Sequence, residues 1–193
     1  MYAKFQSGYR QFYGVETALL RVTNDILMSL DKGEEVILVL LDFSAAFDTI
    51  LLERLEHTFG ICDQVLKWFQ SYLLDRSHRV VIGNERSSTH PLNQGVPQGS
   101  VLDPILFTLY TSPLESIIDR YHVQKMFYAD DTQLYVSFIR SSNFDPTNEI
   151  LCCIQAIKQW SQMNSLKLKR EHQPKITCFQ QRQKNQTNRT KKV

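Results

Sequence analysis

The sequence has little of what staples a small fold or spans a membrane. Its four cysteines, Cys62, Cys152, Cys153 and Cys178, form no C-x-x-C pair and have no histidine at zinc-finger spacing. Neither a disulfide framework nor a structural zinc site is expected. The longest aliphatic run, residues 36–41, is far too short to cross a bilayer, and the opening MYAKFQSGYRQF holds no apolar core of signal-peptide length. The expectation is an intracellular protein, nuclear or cytoplasmic, not secreted and with no membrane partner. Sequons at Asn185 and Asn188 would matter only in a secreted chain.

What is present is the composition of a packed domain. The chain has 193 residues, 42% hydrophobic and 22% charged, so neither a disordered nor a collagen-like chain fits. The net charge of +2 hides an asymmetry: residues 166–193 carry nine Lys or Arg against the single acid Glu171. The rest is net acidic, with 13 basic and 19 acidic groups. A protein that coats nucleic acid with its main face would show the reverse. Excess acid in the body points instead to clustered carboxylates.

Apolar spacing places an amphipathic helix at 16–30, stopped by Gly33, and a buried strand at 36–41 that ends abruptly at Asp42. Short helices are expected at 50–59 and 63–73, with Asp63 as an N-cap, then a hairpin turning at Gly83-Asn84. Residues 101–118 read as a helix with Pro104 in its first turn and Pro113 kinking or ending it. The runs 123–128 and 132–138 form a hairpin through Ala129-Asp130-Asp131, and 150–163 is a further helix. Trp68 and Trp160 are expected as core anchors. The domain is taken as 1–179, followed by a disordered basic tail, 180–193, that would supply nonspecific affinity for RNA or DNA.

Two acidic features stand out: Asp42 at the end of a buried strand, and Asp130-Asp131 at a hairpin tip. Carboxylates are costly to desolvate there unless a cation neutralises them, and no Lys or Arg lies within five residues of Asp42. Mg²⁺ takes one or two carboxylates together with substrate phosphates, and two such ions can clamp an in-line phosphoryl displacement. Each piece alone has a plainer reading. An Asp-Asp pair can be a solvated turn, Asp42 a helix cap, Phe47 a core aromatic and Pro97-Gln98-Gly99 a turn.

Three blocks in order change the balance: LLDFSAAFDT (40–49), NQGVPQGSVLDPILF (93–107) and FYADDTQLY (127–135). They resemble the active-site motifs of reverse transcriptases, in wording similar to the non-LTR, LINE-type retrotransposon branch. QSGYR and ETALLRVTNDI resemble the segment that precedes the first acidic motif. The resemblance implies an α/β (α+β) polymerase palm with partial fingers: an antiparallel sheet of about four strands with helices on one face. It implies RNA-templated transfer of nucleotides from dNTPs, with an RNA template and a DNA primer as partners.

The same resemblance assigns roles residue by residue. Asp42, Asp130 and Asp131 would be the catalytic acids and, with the backbone carbonyl of Phe43, would hold two Mg²⁺ (or Mn²⁺) ions. The second acid of the box would be the less direct ligand. Phe47 would lie under the sugar and select deoxynucleotides, Gln98 and Gly99 would line the nucleotide pocket, and Arg10 would meet the triphosphate. Tyr128 would sit beside the primer end.

Four departures from the family pattern keep a second reading open, that of a catalytically silent remnant with a folded palm that binds nucleic acid. The expectation is a palm without the upstream fingers elements and without a thumb, and hence weak or absent polymerisation. Thr49 runs directly into Ile50-Leu51-Leu52 without the usual intervening residues, and Asp103 stands where the second block has Gly before its Pro. Lys175 is a displaced stand-in for the family's lysine after Leu166-Lys167-Leu168.

Overall fold

One strand, rich in β-branched and aliphatic residues, is the axis of the structure. The computed structural model describes residues 5–44, 49–92, 100–164, 166–168 and 175–180. Helix α1 (Val15–Asp31) leads into that strand, β1 (Glu35–Ser44), and helices α2 (Thr49–His57) and α3 (Asp63–Leu73) follow. Four short strands come next: β2 (Arg76–His78), β3 (Val81–Ile82), β4 (Glu85–Arg86) and β5 (His90–Leu92). Helices α4 (Asp103–Thr111) and α5 (Pro113–Ile118) precede the hairpin of β6 (Gln124–Tyr128) and β7 (Asp131–Phe138). The long helix α6 (Pro146–Met163) is followed by β8 (Lys167–Leu168) and β9 (Lys175–Phe179).

The expected elements are all present, with local adjustments. Pro104 lies in the first turn of α4, and Pro113 opens α5. Pro113 thus divides the expected helix in two, because its missing N–H cannot continue the ladder. Asp63 is the first residue of α3, and Cys62 occupies the cap position instead. The turn at Gly83-Asn84 joins β3 to β4, while β2 and β5 pair outside it.

The main sheet has five strands and is antiparallel throughout. β7 lies between β6 and β1, with Glu35 to Asp42 registered against Phe138 to Asp131. β9 takes the other edge of β1 over Val36 to Leu40, and β8 pairs with its last residues, Phe43 and Ser44. On one face Val39, Leu41, Phe43, Phe127, Leu134 and Val136 pack under apolar residues of α2 to α6 such as Leu51, Leu55, Leu73, Tyr110, Ile118 and Ile157. Each fully buried aliphatic of this kind contributes about 1.5–3 kcal/mol.

The expectation of helices on one face needs correcting at α1. Its residues Ala18, Val22 and Ile26 pack on the opposite face against Val36, Met126 and Tyr135. The physical reason is the alternation of β1: over residues 36–41 its even-numbered positions are as apolar as its odd ones, so both faces need cover there. α1 covers only one end. Val36 is 1% exposed, but Leu40 is 40% exposed on the same face, and Asp42 comes next on that face. The sheet is therefore open toward its acidic end.

Trp68 is the other correction, for it is 51% exposed rather than a core anchor. It stacks on Tyr72 at 5.4 Å, so an aromatic partner one helical turn away takes the place of the core. Trp160 does pack against the core. It lies 5.3 Å from the guanidinium of Arg54, which also sits over the Tyr110 ring at 4.5 Å and donates to the Tyr110 carbonyl and to Asn164 Oδ1. Burial lowers the pKa of Arg54. Of the expected tail, only Gln180 is among the described residues.

Candidate active site

The acidic end of the sheet is built by register. Asp42 is registered opposite Asp131, and Asp131 in turn opposite Tyr128, which makes a row across β1, β7 and β6. Directly opposed residues share a face, with Cβ atoms about 4.5–5.5 Å apart. Asp42 Oδ1 is enclosed by protein, whereas Asp131 is exposed. The hairpin is tighter than expected: Asp131 already belongs to β7, which leaves Ala129 and Asp130 as the turn. Ala129 has φ 56°, in the left-handed region.

Among the described residues no group of three or more His, Cys, Asp or Glu side chains is gathered to hold a metal by protein donors alone. Mg²⁺ does not require such a cage, since it keeps waters and takes one or two carboxylates plus substrate phosphates. The opposed Asp42 and Asp131 suit that mode of binding. The Phe43 side chain is buried in the core on the other face, so only its backbone is available to the site.

Two residues that sequence reasoning left out of the site lie within electrostatic reach of Asp130. Burial raises the pKa of Asp103, in the first turn of α4, and the charge of Asp130 raises it further. Burial also raises the Tyr9 phenol, and the charges of Asp130 and Asp103 add to that. The departure from the family pattern at position 103 thus adds negative charge beside the acidic turn. Arg10 belongs to the same neighbourhood: its Nη1 donates to the Gln6 carbonyl at 3.1 Å, and its guanidinium lies over Tyr13 at 4.5 Å. Gln6 itself reaches the turn, where its Oε1 accepts from the Ala129 amide at 3.2 Å. Phe47, Gln98 and Gly99 lie outside the described residues.

The expected strand end at Asp42 needs correcting, for β1 continues through Phe43 and Ser44, which pair with β8; Asp42 still closes the ladder with β7, opposite Asp131 and beside the Ala129-Asp130 turn. The family model described as "Reverse transcriptase (RNA-dependent DNA polymerase)" matches residues 1–185. The chain belongs to the reverse transcriptase family.

Its reverse-transcriptase relatives include the RNA-directed DNA polymerase from mobile element jockey of Drosophila melanogaster, 29% identical over 90% of this chain. The probable RNA-directed DNA polymerase from transposon BS of the same species is 32% identical over 79% of the chain. A retrovirus-related Pol polyprotein from the type-1 retrotransposable element R2 of Popillia japonica is 31% identical over 43%. The chain spans only 20%, 16% and 14% of these relatives' lengths. The LINE-type resemblance of the three blocks is thus matched by relatives from mobile elements. Among the described residues no helix is long and apolar enough to cross a membrane.

Proposed function

We propose that this domain performs RNA-templated nucleotidyl transfer from dNTPs, with Asp42, Asp130 and Asp131 as its catalytic acids. The observation that carries the reading is the register of Asp42 opposite Asp131, one residue from Asp130, in a reverse-transcriptase chain. Divalent cations, Mg²⁺ or Mn²⁺, would activate the primer hydroxyl and neutralise the leaving pyrophosphate. The protein's part is to supply oxygen donors on a rigid sheet. It also supplies a depth of negative charge, from Asp103 as well as the triad, that concentrates cations at the open end.

Arg10, whose guanidinium donates to the Gln6 carbonyl, would meet the triphosphate at the rim. Tyr128, in the row with Asp131, would flank the primer end. Phe47 would exclude a ribose 2′-hydroxyl, with Gln98 and Gly99 lining the base-pair pocket, and the Phe43 carbonyl would complete the metal shell. RNA template and DNA primer are the partners.

The test is single-nucleotide extension of a DNA primer on an RNA template by the purified chain with Mg²⁺ or Mn²⁺, alongside Mn²⁺ binding read by electron paramagnetic resonance. The expected result is at most weak, non-processive template-dependent addition that Asp130→Asn abolishes, and Mn²⁺ binding that Asp42→Asn weakens. Addition that survives Asp130→Asn, or a chain that binds no Mn²⁺, would overturn the assignment.

A further inference from the structure

Ala129 carries a left-handed backbone conformation that strains a non-glycine residue and persists only where neighbours impose it. The neighbours are identifiable. Gln6 is 4% exposed, and its Oε1 accepts from two amides, Gly8 at 2.8 Å and Ala129 at 3.2 Å. An amide oxygen has two lone pairs, so this acceptor is fully used. The same segment is fastened to β6 by its backbone: Ser7 N donates to the Phe127 carbonyl at 2.9 Å, and Phe127 N donates to the Phe5 carbonyl at 3.0 Å. Gly8 then passes so close to the turn that an added Cβ would stand 2.3 Å from the Ala129 nitrogen. Only glycine fits there.

We propose that Gln6, seated by Gly8, is a positioning residue for the acidic turn: its side-chain oxygen holds the Ala129 amide and so fixes the direction in which Asp130 projects. The inference rests on the reading of Asp42, Asp130 and Asp131 as the metal-binding acids. Without the grip of Gln6, a two-residue turn with a strained first position would relax, and the next residue would swing with it. Gln6 also joins the two halves of the site. Its carbonyl is held by Arg10 and its side chain by Ala129, so a single residue links the basic rim to the acidic tip.

The test uses the full 193-residue chain and the variants Gln6→Met, Gln6→Glu and Gly8→Ala. Met fills a similar volume with no comparable acceptor, whereas Glu keeps the oxygen. Amide hydrogen exchange at Ala129 and Asp130 is read against the sheet centre at Val39 and Leu134, and Mn²⁺ affinity is titrated in parallel. Gln6→Met should speed exchange at Ala129 by roughly tenfold while Val39 and Leu134 keep their protection. It should also weaken Mn²⁺ binding by about tenfold or more, as loss of a partner that orients a metal ligand does. Gln6→Glu should restore Ala129 protection, and Gly8→Ala should reproduce the losses of Gln6→Met.

Faster exchange throughout the sheet in Gln6→Met would mean that Gln6 holds up the fold rather than the turn, which overturns the proposal. So would faster exchange at Ala129 with Mn²⁺ affinity unchanged. A wild-type chain that protects Ala129 through Gln6 yet binds no Mn²⁺ would instead bring down the metal-site reading, with the grip on the turn standing on the exchange data alone.

Discussion

Asp42 on β1 and Asp131 on β7 face each other as the last register pair of the antiparallel ladder. Like charges directly opposed across a sheet destabilise it, and a divalent cation reverses the sign of that contribution. In metal-free buffer Asp131→Asn should therefore melt roughly 1–3 °C higher than the wild type. Added Mn²⁺ should raise the wild-type Tm by mass action and raise that of Asp131→Asn by less. A lower Tm for Asp131→Asn in chelator would show that the opposed acids are not a source of strain.

The Arg54 cluster should be a stability hot point far from the acids. Its guanidinium bonds to the Tyr110 carbonyl and Asn164 and stacks on two rings, so it ties α2, α4 and the end of α6 together. Arg54→Ala strands those acceptors and should cost about 2–4 kcal/mol in urea unfolding. Arg54→Lys should recover less than half of that loss, because an ammonium neither forks nor stacks.

Lys125 and Asp119 offer a contrast between deleting and replacing a buried charge. The Lys125 side chain is 3% exposed, donates to Asp119 and to the Glu115 carbonyl, and its partner Asp119 is 64% exposed. Asp119→Ala leaves an uncompensated ammonium inside and should cost about 1–3 kcal/mol. Lys125→Met removes the charge and fills the space, so it should fall within about 1.5 kcal/mol of the wild type. Equal losses from the two variants in a denaturant titration would contradict this.

Thiol chemistry should separate the cysteines by burial. Cys62, Cys152 and Cys178 are exposed and Cys153 is buried. Burial pushes the Cys153 thiol up to about 12, with Glu149 adding and Lys125 opposing. Iodoacetamide at pH 8 should label Cys152 and Cys178 readily and Cys62 more slowly, since its hydrogen bond to Asp63 raises its pKa. Cys153 should label only on unfolding. The native state keeps a proton on Cys153 that the unfolded chain releases above about pH 8.5, so stability falls as pH climbs from there toward the folded pKa. Cys153→Ala should flatten that alkaline decline.

The elements that the sequence displays are those whose cause is local. α1 and α6 are legible from residues spaced by a helical turn, and the β6–β7 hairpin from apolar runs around Ala129-Asp130. Asp42 and the acidic pair stand out because charge interrupts strands that are otherwise apolar. The hydrogen bond from Ala129 to Gln6 joins residues 123 positions apart, and no spacing rule carries that information. β9 was within reach of pattern reading, since KITCF alternates in polarity, but its basic surroundings resemble a tail. The side of the sheet that α1 covers, and the exposure of Trp68, are decided by packing between distant segments. Composition cannot rank those alternatives.

The pairing of β9 with β1 sets the order in which this domain can be completed. Val36 meets Phe179 and Leu40 meets Lys175, so an edge of the central strand waits for residues made some 140 positions later. A chain still emerging from the ribosome displays β1 with that edge bare until β9 arrives. A bare, flat, apolar edge is a template for pairing with other chains. Newly made domains should thus depend on chaperone cover until Phe179 is out, and a chain cut before Lys175 should accumulate as inclusion bodies even though every residue of the acidic site is present.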